Sequence, residues 1–171
     1  SKAIQNGYDL LNIDYLEKMT IEQLDEIFKG TTSIPLLEER YEIIKQLVQE
    51  LKNIDDLSKA LDSNNDIELL NNIINNFSNF NDISIYKGKK VYFFKRAILL
   101  VGDLIENVKS IKEKVKNDSN MLGCADYKIP QVLRHLGILE YNEELAQIVD
   151  SKQQLKHDSE MEIEVRANML Y

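Results

Sequence analysis

The stretch KRAILLVGDLIENVKSIKEKV, residues 95–115, decides the fold class of this chain. After Lys95 and Arg96 it has an unbroken apolar run, Ala97 to Val101, and then becomes amphipathic. This change is typical of a helix that is central at its start and exposed at its end. We therefore predict one continuous helix here, ended by the polar segment KNDSN, residues 116–120.

The residues on either side favour further helices. Only six glycines and two prolines occur in 171 residues, and apolar residues recur at helical spacing in residues 36–51 and in the asparagine-rich residues 67–77. Capping residues or first-turn prolines mark the helix starts. They are Thr20 with Gln23, Ser33 with Pro35, Pro130, Asn142 and Ser159.

One segment departs from the helical pattern. SIYKGKKVYFF, residues 84–94, alternates around Gly88, which predicts a tight turn between two short strands, although its second half also fits the start of a helix. The predicted fold class is all-α, mainly helical with at most one short β-hairpin. We expect residues 1–171 to form a single domain, and both ends look like interrupted helices, the first ended by Gly7 and the last running to Tyr171.

Composition excludes several classes of protein. A net charge of −8 disfavours a surface that neutralises many phosphates, so we expect no stable nucleic-acid partner. The single Cys124 cannot form an internal disulfide, no leader pattern opens the chain, and no apolar stretch approaches the roughly 20 residues of a membrane span. We predict a cytoplasmic monomer without a membrane contact.

Catalytic candidates must come from ionic residues in apolar surroundings, because no metal-ligand spacing or phosphate-binding glycine loop is visible. Lys95, Asp103 and Asp126 fit this description. Each also has an ordinary structural explanation: a lysine whose amine reaches water, an interior ion pair, and a loop acid that caps the next helix. From the residues alone these explanations are favoured, and Cys124 reads as a small buried side chain.

A series of ordered motifs changes this balance. IYKGKKVYFFKRAILLVGDL (85–104), ADYKIPQVLRHLGILEYNEEL (125–145) and EIEVRA (162–167), with LEKMTIEQLDEIFKG (16–30) and IPLLEERYEII (34–44) before them, resemble the queuosine 5′-phosphate N-glycosylase/hydrolase family of queuosine salvage proteins. The resemblance covers essentially the whole chain. It implies an architecture similar to helix-hairpin-helix DNA glycosylases, in a protein longer than this chain.

The resemblance also implies an activity and a site. The activity is hydrolysis of the N-glycosidic bond of queuosine 5′-phosphate, a small-molecule nucleotide, which releases queuine for tRNA modification and needs no cofactor and no metal. Lys95 and Asp126 match the family's catalytic lysine and aspartate. Asp103 matches a supporting position, Cys124 stands where many relatives have an aromatic residue, and Lys128 and Arg134 are the local cations for the substrate phosphate.

Two alternatives remain open at this point. One is a helix-hairpin-helix nucleic-acid glycosylase or binding protein, which the acidic charge disfavours. The other is an interaction module without catalysis. It would follow if Cys124 and Ile98, which replaces the family's usual Gln, had altered the pocket.

Overall fold

The computed structural model describes residues 2–115 and 126–168. Helices dominate these residues, and a two-stranded antiparallel sheet accompanies them. The predicted fold class is therefore confirmed. Cys124 lies outside the described residues, so its predicted role in substrate binding is not addressed by the structure.

Contacts divide the chain into two compact units. The first comprises the residues up to Asp62 together with Asn76–Asn79, and the second comprises Ser63–Asn75 and the chain from Phe80 onward. That residues 1–171 behave as one domain stays a prediction. None of the described helices combines the length and the apolar character that crossing a membrane requires.

The first unit consists of short helices around one long helix. These elements are α1 (Lys2–Gln5), α2 (Ile13–Lys18), α3 (Ile21–Phe28), α4 (Leu37–Lys52) and α5 (Leu57–Ala60). Leu24 of α3 and Val48 of α4 are each 1% exposed and form part of its buried apolar interior. Helix α4 packs against both α2 and α3, and the predicted apolar stripe is partly or fully buried from Leu37 to Leu51, whereas Leu36, before the helix, is exposed.

Side chains of α4 bind main-chain carbonyl groups at the end of α2. The Lys45 ammonium donates to the main-chain oxygens of Leu16, at 3.2 Å, and Glu17, at 2.5 Å, while the Tyr41 hydroxyl donates to the Met19 carbonyl at 3.0 Å. The last carbonyls of a helix lack partners inside it, so these contacts fix α4 against the end of α2.

The two predicted helix starts in this unit have different outcomes. Thr20 and Gln23 form the complete capping box, with N···O distances of 3.3 and 2.9 Å, and α3 begins directly after Thr20, as predicted. The long helix was expected to open at Ser33 and Pro35, but α4 begins at Leu37. The reason is local: Leu36 has a left-handed backbone, with a φ of 58°, which a helix cannot continue through.

The second unit holds the remaining elements. They are α6 (Asp66–Asn76), whose last residue belongs to the first unit, a 3₁₀ turn (Ser78–Phe80) that spans the boundary, β1 (Ile83–Tyr86), β2 (Lys89–Tyr92), α7 (Lys95–Asn107), α8 (Lys109–Lys114), α9 (Lys128–His135), α10 (Glu143–Asp150) and α11 (Glu160–Ala167). Asn142 and Ser159 cap α10 and α11 as predicted, each accepting a main-chain N–H three residues ahead. Helix α11 ends at Ala167, and the expected continuation to Tyr171 lies outside the described residues.

The hairpin around Gly88 is confirmed. Strands β1 and β2 pair from Ile83 opposite Tyr92 to Tyr86 opposite Lys89. Lys87 and Gly88 form the connection, with φ angles of 47° and 77°, and two consecutive positive φ angles are what a two-residue type I′ turn requires. The second half of the segment is therefore strand up to Tyr92, and helix begins only at Lys95.

Alternate residues on one side of the hairpin bind the region of the last helix. The Ser84 hydroxyl donates to Asp158 at 2.6 Å, the Tyr86 hydroxyl donates to Glu164, and Arg166 donates to Asp82. Residues two apart in an extended segment share a face, which explains why positions 82, 84 and 86 act together. Beneath these contacts Phe93 and Ile163 form a buried apolar cluster.

Two helix bounds in this unit differ from the predictions. The helix expected over residues 95–115 is broken at Val108, which is extended, with φ −102° and ψ 106°. The Asn107 amide donates to the Asp103 carbonyl at 3.0 Å, a local bond of the kind that competes with helical pairing. Pro130, expected at the first position of its helix, is the third residue of α9 because that helix begins at Lys128.

Candidate active site

Lys95 is the first residue of α7 and follows a sharp bend in the chain. Phe94 has a left-handed backbone, with a φ of 48°, and the main-chain N–H groups of Phe93 and Phe94 donate to the Asp82 carbonyl at 3.0 and 3.3 Å. These bonds hold the entry to α7 against the base of the hairpin. The Lys95 side chain is 26% exposed, so it is partly shielded from solvent.

Asp126 binds two groups with its two carboxylate oxygens. Its Oδ2 lies 2.6 Å from the Lys95 Nζ, and its Oδ1 accepts the main-chain N–H of Lys128 at 2.9 Å. The second bond satisfies an amide at the start of α9, so the residue is both a helix-start acid and an ion-pair partner. Asp126 therefore both binds the start of the next helix and pairs with Lys95, so the structural and the catalytic explanations of this residue are compatible.

The electrostatic environment keeps this carboxylate charged. The hydrogen bond from the Lys95 ammonium is the largest influence and lowers the pKa of Asp126 below its usual range, with a further lowering from the Lys128 amide. The Lys95 and Lys128 charges act in the same direction, whereas partial burial opposes them. At neutral pH, Asp126 is therefore an anion held by a cation, in reach of water at 35% side-chain exposure.

A buried polar cluster lies next to this pair, and the sequence did not reveal it. The Tyr127 hydroxyl donates to Glu162, the Arg166 Nη1 lies 3.5 Å from the same Glu162 oxygen, and Arg166 Nη2 donates to Asp82. The Arg166 guanidinium also stacks on the Phe93 ring, 3.8 Å from its centroid. Burial, reinforced by the Glu162 contact, raises the pKa of Tyr127, so its hydroxyl remains a donor.

Only a weak sequence signal existed for that cluster. Glu162 and Arg166 are four residues apart in EIEVRA, a spacing that is ordinarily an exposed helical ion pair. Ile163 and Val165 lie between them and are also buried, which is the one hint that this pair is interior.

The other predicted site residues have separate positions. Lys128 is exposed beside Asp126, and Asp103 is exposed on α7, about 12 Å further along the helix axis than Lys95 at 1.5 Å per residue. Arg134 binds Asp150 through both of its terminal nitrogens, at 2.7 and 2.9 Å, and stacks 4.7 Å from the Tyr141 ring centroid. This contact raises the pKa of Arg134 and lowers that of Asp150. The role of Arg134 in phosphate binding stays a prediction and would require Arg134 to separate from Asp150.

A cavity of about 500 Å³ lies beside Arg134. Its lining residues are Gln131, Arg134, His135, Tyr141 and Val149. Lys95 and Asp126 do not line it, so the geometry that points to chemistry is the ion pair and not this cavity.

One group of side chains in the described residues has the composition of a metal site. Donor atoms of His157, Asp158 and Glu162 lie within 4.8 Å of one another. Asp158 already accepts the Ser84 hydroxyl, and Glu162 accepts Tyr127 and faces Arg166. Both carboxylates therefore have protein partners, and the absence of a metal from the reaction stays a prediction.

Comparison with known proteins agrees with the motif resemblance. The queuosine salvage protein family model matches residues 1–171. The chain is 31% identical to the queuosine 5′-phosphate N-glycosylase/hydrolase of Sphaerobacter thermophilus over 99% of this chain and 54% of that protein. For the proteins of the same name from Nematostella vectensis and Dictyostelium discoideum, the identities are 33% and 34%, over 100% and 90% of this chain and 51% and 49% of theirs.

The chain spans about half the length of the curated relatives it matches. The family match nevertheless extends over every residue, including the segments that carry Lys95, Asp126 and Arg166. The chain belongs to the queuosine salvage protein family.

Proposed function

We propose that the complete protein hydrolyses the N-glycosidic bond of queuosine 5′-phosphate and releases queuine for tRNA modification. The observation that carries this proposal is the contact between Lys95 and Asp126, 2.6 Å apart, in a chain whose relatives are named for that activity. Asp126 is the catalytic carboxylate and Lys95 the catalytic cation. The reaction needs no metal and no cofactor.

The ionised state of Asp126 suits this reaction. Breaking a glycosidic bond builds positive charge at C1′, and a fixed carboxylate stabilises that charge as it develops. The bonding electron pair leaves with the base nitrogen, the oxygen of a water molecule bonds to C1′, and Asp126 accepts a proton from that water. The base nitrogen takes up a proton from solvent and Asp126 releases to solvent the proton that it took from the water, so one water is consumed and the products are queuine and ribose 5-phosphate.

The Lys95 ammonium has two roles in this scheme. It holds Asp126 ionised before the reaction, and it supplies a positive charge and a donor beside the departing base. Queuine is a 7-deazaguanine and lacks the ring nitrogen at which purine bases are often protonated. Hydrogen bonds to the other polar atoms of the base must therefore assist its departure. In this proposal Asp103 has a supporting role in those contacts.

The 5′-phosphate requires a cation close to the ion pair. Lys128 meets this requirement better than Arg134, because its side chain is exposed next to Asp126 while Arg134 is bound to Asp150. We further propose that the protein is monomeric and cytoplasmic and acts on a free nucleotide. Its support is the acidic net charge, which opposes stable tRNA or DNA binding.

A release assay on the full-length protein tests the proposal. Queuosine 5′-phosphate, queuosine and queuosine-containing tRNA are incubated separately with the protein, and free queuine is quantified by mass spectrometry. We expect release from the nucleotide. Release from tRNA alone would establish the nucleic-acid glycosylase, and no release from any substrate would establish the non-catalytic module.

A pair of matched variants assigns the chemistry. Asp126→Asn keeps the size and the hydrogen bond to the Lys128 amide but removes the charge, so turnover should fall by at least about a hundredfold. Asp55→Asn makes the same change at an exposed position of the first unit and should leave turnover unchanged. Equal turnover in the two variants would remove Asp126 from the mechanism.

A further inference from the structure

Arg166 is a buried cation with two acidic partners. It is 5% exposed, donates from one terminal nitrogen to Asp82, and has its other terminal nitrogen 3.5 Å from Glu162. The face of its guanidinium covers the Phe93 ring. Desolvating a charge to this degree is costly, so a buried arginine requires partners that hold it in a defined geometry.

Each acidic partner is connected to one half of the proposed catalytic pair. On one side, the Asp82 main-chain carbonyl accepts the N–H groups of Phe93 and Phe94, the two residues that precede Lys95. On the other side, Glu162 accepts the hydroxyl of Tyr127, the residue that follows Asp126. Arg166 is therefore the shared partner of two short paths, one ending at Lys95 and one at Asp126.

We propose that Arg166, acting through Asp82 and through Glu162 with Tyr127, is a positioning residue that sets the distance between Lys95 and Asp126. This inference rests on the proposed function of that pair. Neither Arg166 nor Tyr127 is required to touch the substrate. Their effect is to hold the start of α7 and the start of α9 at the separation that gives the 2.6 Å contact.

The chemistry of the cluster favours arginine over lysine. A planar guanidinium presents several donors in a rigid fork and binds two carboxylates in different directions, while a lysine ammonium is a point charge on a flexible stem. The cluster also carries more negative than positive charge, with two carboxylates and one guanidinium. Glu162 Oε2 has no hydrogen-bond partner among the described residues, so its position depends on the contacts of Oε1.

The titratable and charged groups that face each part of this arrangement are few. Asp126 is acted on by Lys95 from α7 and Lys128 from α9. Arg166 is faced by Asp82, next to β1, and by Glu162 on its own helix, and Tyr127 faces Glu162. His157 and Asp158, which precede α11, also lie near Glu162, with donor atoms within 4.8 Å of its carboxylate. A change in the distance between Lys95 and Asp126 will therefore change the pKa of Asp126. It will appear in the acidic limb of the pH profile, where kcat/KM falls as Asp126 is protonated.

Tyr127→Phe is the primary test, with Tyr86→Phe as its control. Both substitutions remove one hydroxyl that donates to a glutamate of α11, Glu162 in the first case and Glu164 in the second. Only the first bond is on a path to Asp126. Tyr127 is 45% exposed, so its hydroxyl can be removed with little disturbance of the core.

The measurements are kcat, KM and the pH profile of kcat/KM for queuosine 5′-phosphate, made with the full-length protein. We expect Tyr127→Phe to lower kcat roughly tenfold to a hundredfold, to change KM less than twofold, and to move the acidic limb to higher pH. Tyr86→Phe should leave all three unchanged. Arg166→Lys keeps the positive charge but not the fork, and it should reproduce the effect of Tyr127→Phe.

The outcomes separate this inference from the function on which it rests. If the wild-type protein releases no queuine from queuosine 5′-phosphate, the proposed function fails, and if Asp126→Asn retains full turnover, the catalytic role of Asp126 fails and the positioning role with it. If Asp126→Asn is inactive but Tyr127→Phe has a wild-type kcat and acidic limb, only the positioning role is overturned. Equal losses in Tyr127→Phe and Tyr86→Phe, with no movement of the limb, would show a general structural effect and would also overturn it. Should Arg166→Lys fail to fold, the two tyrosine variants decide.

Discussion

Removing the buried arginine should cost this protein a large part of its stability. Arg166→Met keeps the length and much of the apolar stem of the side chain but leaves Asp82 and Glu162 without their shared cation. The Arg166 side chain is 6% exposed and those of Asp82 and Glu162 are 17% and 3% exposed, so solvent cannot replace the lost contacts. Breaking a buried ion pair by removing one partner costs about 3–5 kcal/mol.

The stacking contact adds to this loss. The guanidinium lies 3.8 Å from the Phe93 centroid, within the range at which a cation and a ring attract each other by about 1–2 kcal/mol when desolvated. Methionine recovers part of that through its own contact with the ring. We therefore expect the free energy of unfolding to fall by about 4 kcal/mol, against the 5–15 kcal/mol typical of whole proteins.

Urea unfolding of the full-length protein measures this effect, and Arg134→Met is the matched control. Arg134 also binds an aspartate and also stacks on an aromatic ring, Tyr141, but its pair with Asp150 is at the surface. Exposed pairs contribute little and are screened by salt, so the control should show a small loss that disappears at high ionic strength.

Two results would refute the reasoning. If Arg166→Met and Arg134→Met lowered the unfolding free energy equally, burial would not be the cause of the difference. If the loss of unfolding free energy in Arg166→Met vanished in about 1 M salt, which screens exposed charges strongly, the cluster would behave as a surface network. The expected loss should instead persist at that salt concentration, because buried charges are screened much less than exposed ones.

Three further predictions concern single positions. Lys95→Met removes the ammonium that lowers the pKa of Asp126, so that pKa should rise and the acidic limb of kcat/KM should move to higher pH; an unmoved limb would show that Asp126 is not the titrating group. The sign follows because a carboxyl with a lowered pKa is charged at neutral pH and loses its ion pair as the pH falls through that pKa. Lys128→Met should raise KM for queuosine 5′-phosphate and not for queuosine, and equal effects on both would place the phosphate elsewhere. Thr20→Ala should lower unfolding stability by about 1 kcal/mol without changing kcat, and a loss within error would show that the capping box is dispensable.

Local features were predicted well because their partners are close in the chain. The capping box of Thr20 and Gln23 and the Asn142 and Ser159 caps all join residues three positions apart. The Gly88 hairpin likewise depends on a two-residue turn between paired strands. Side-chain chemistry and backbone preference over a few residues decide such features, so a sequence pattern is sufficient to find them.

Helix bounds that depend on packing were predicted less well. No glycine or proline marks the break at Val108, and the left-handed backbone of Leu36 is unusual for an apolar side chain. Helix propensity favoured continuation at both positions. The conformation of a single residue there is imposed by its surroundings, which override a weak local preference.

The candidate site shows the same division. By itself, the sequence determined a mainly helical chain and, through its ordered motifs, a family, and it predicted a short hairpin and the two site residues Lys95 and Asp126. Only the tertiary structure decided that these two side chains form one ion pair, that Arg134 is bound to Asp150, and that Arg166 joins Asp82 to Glu162. The physical reason is distance along the chain: Asp82 and Arg166 are 84 residues apart, and their meeting depends on how the hairpin and α11 pack, which no local pattern encodes.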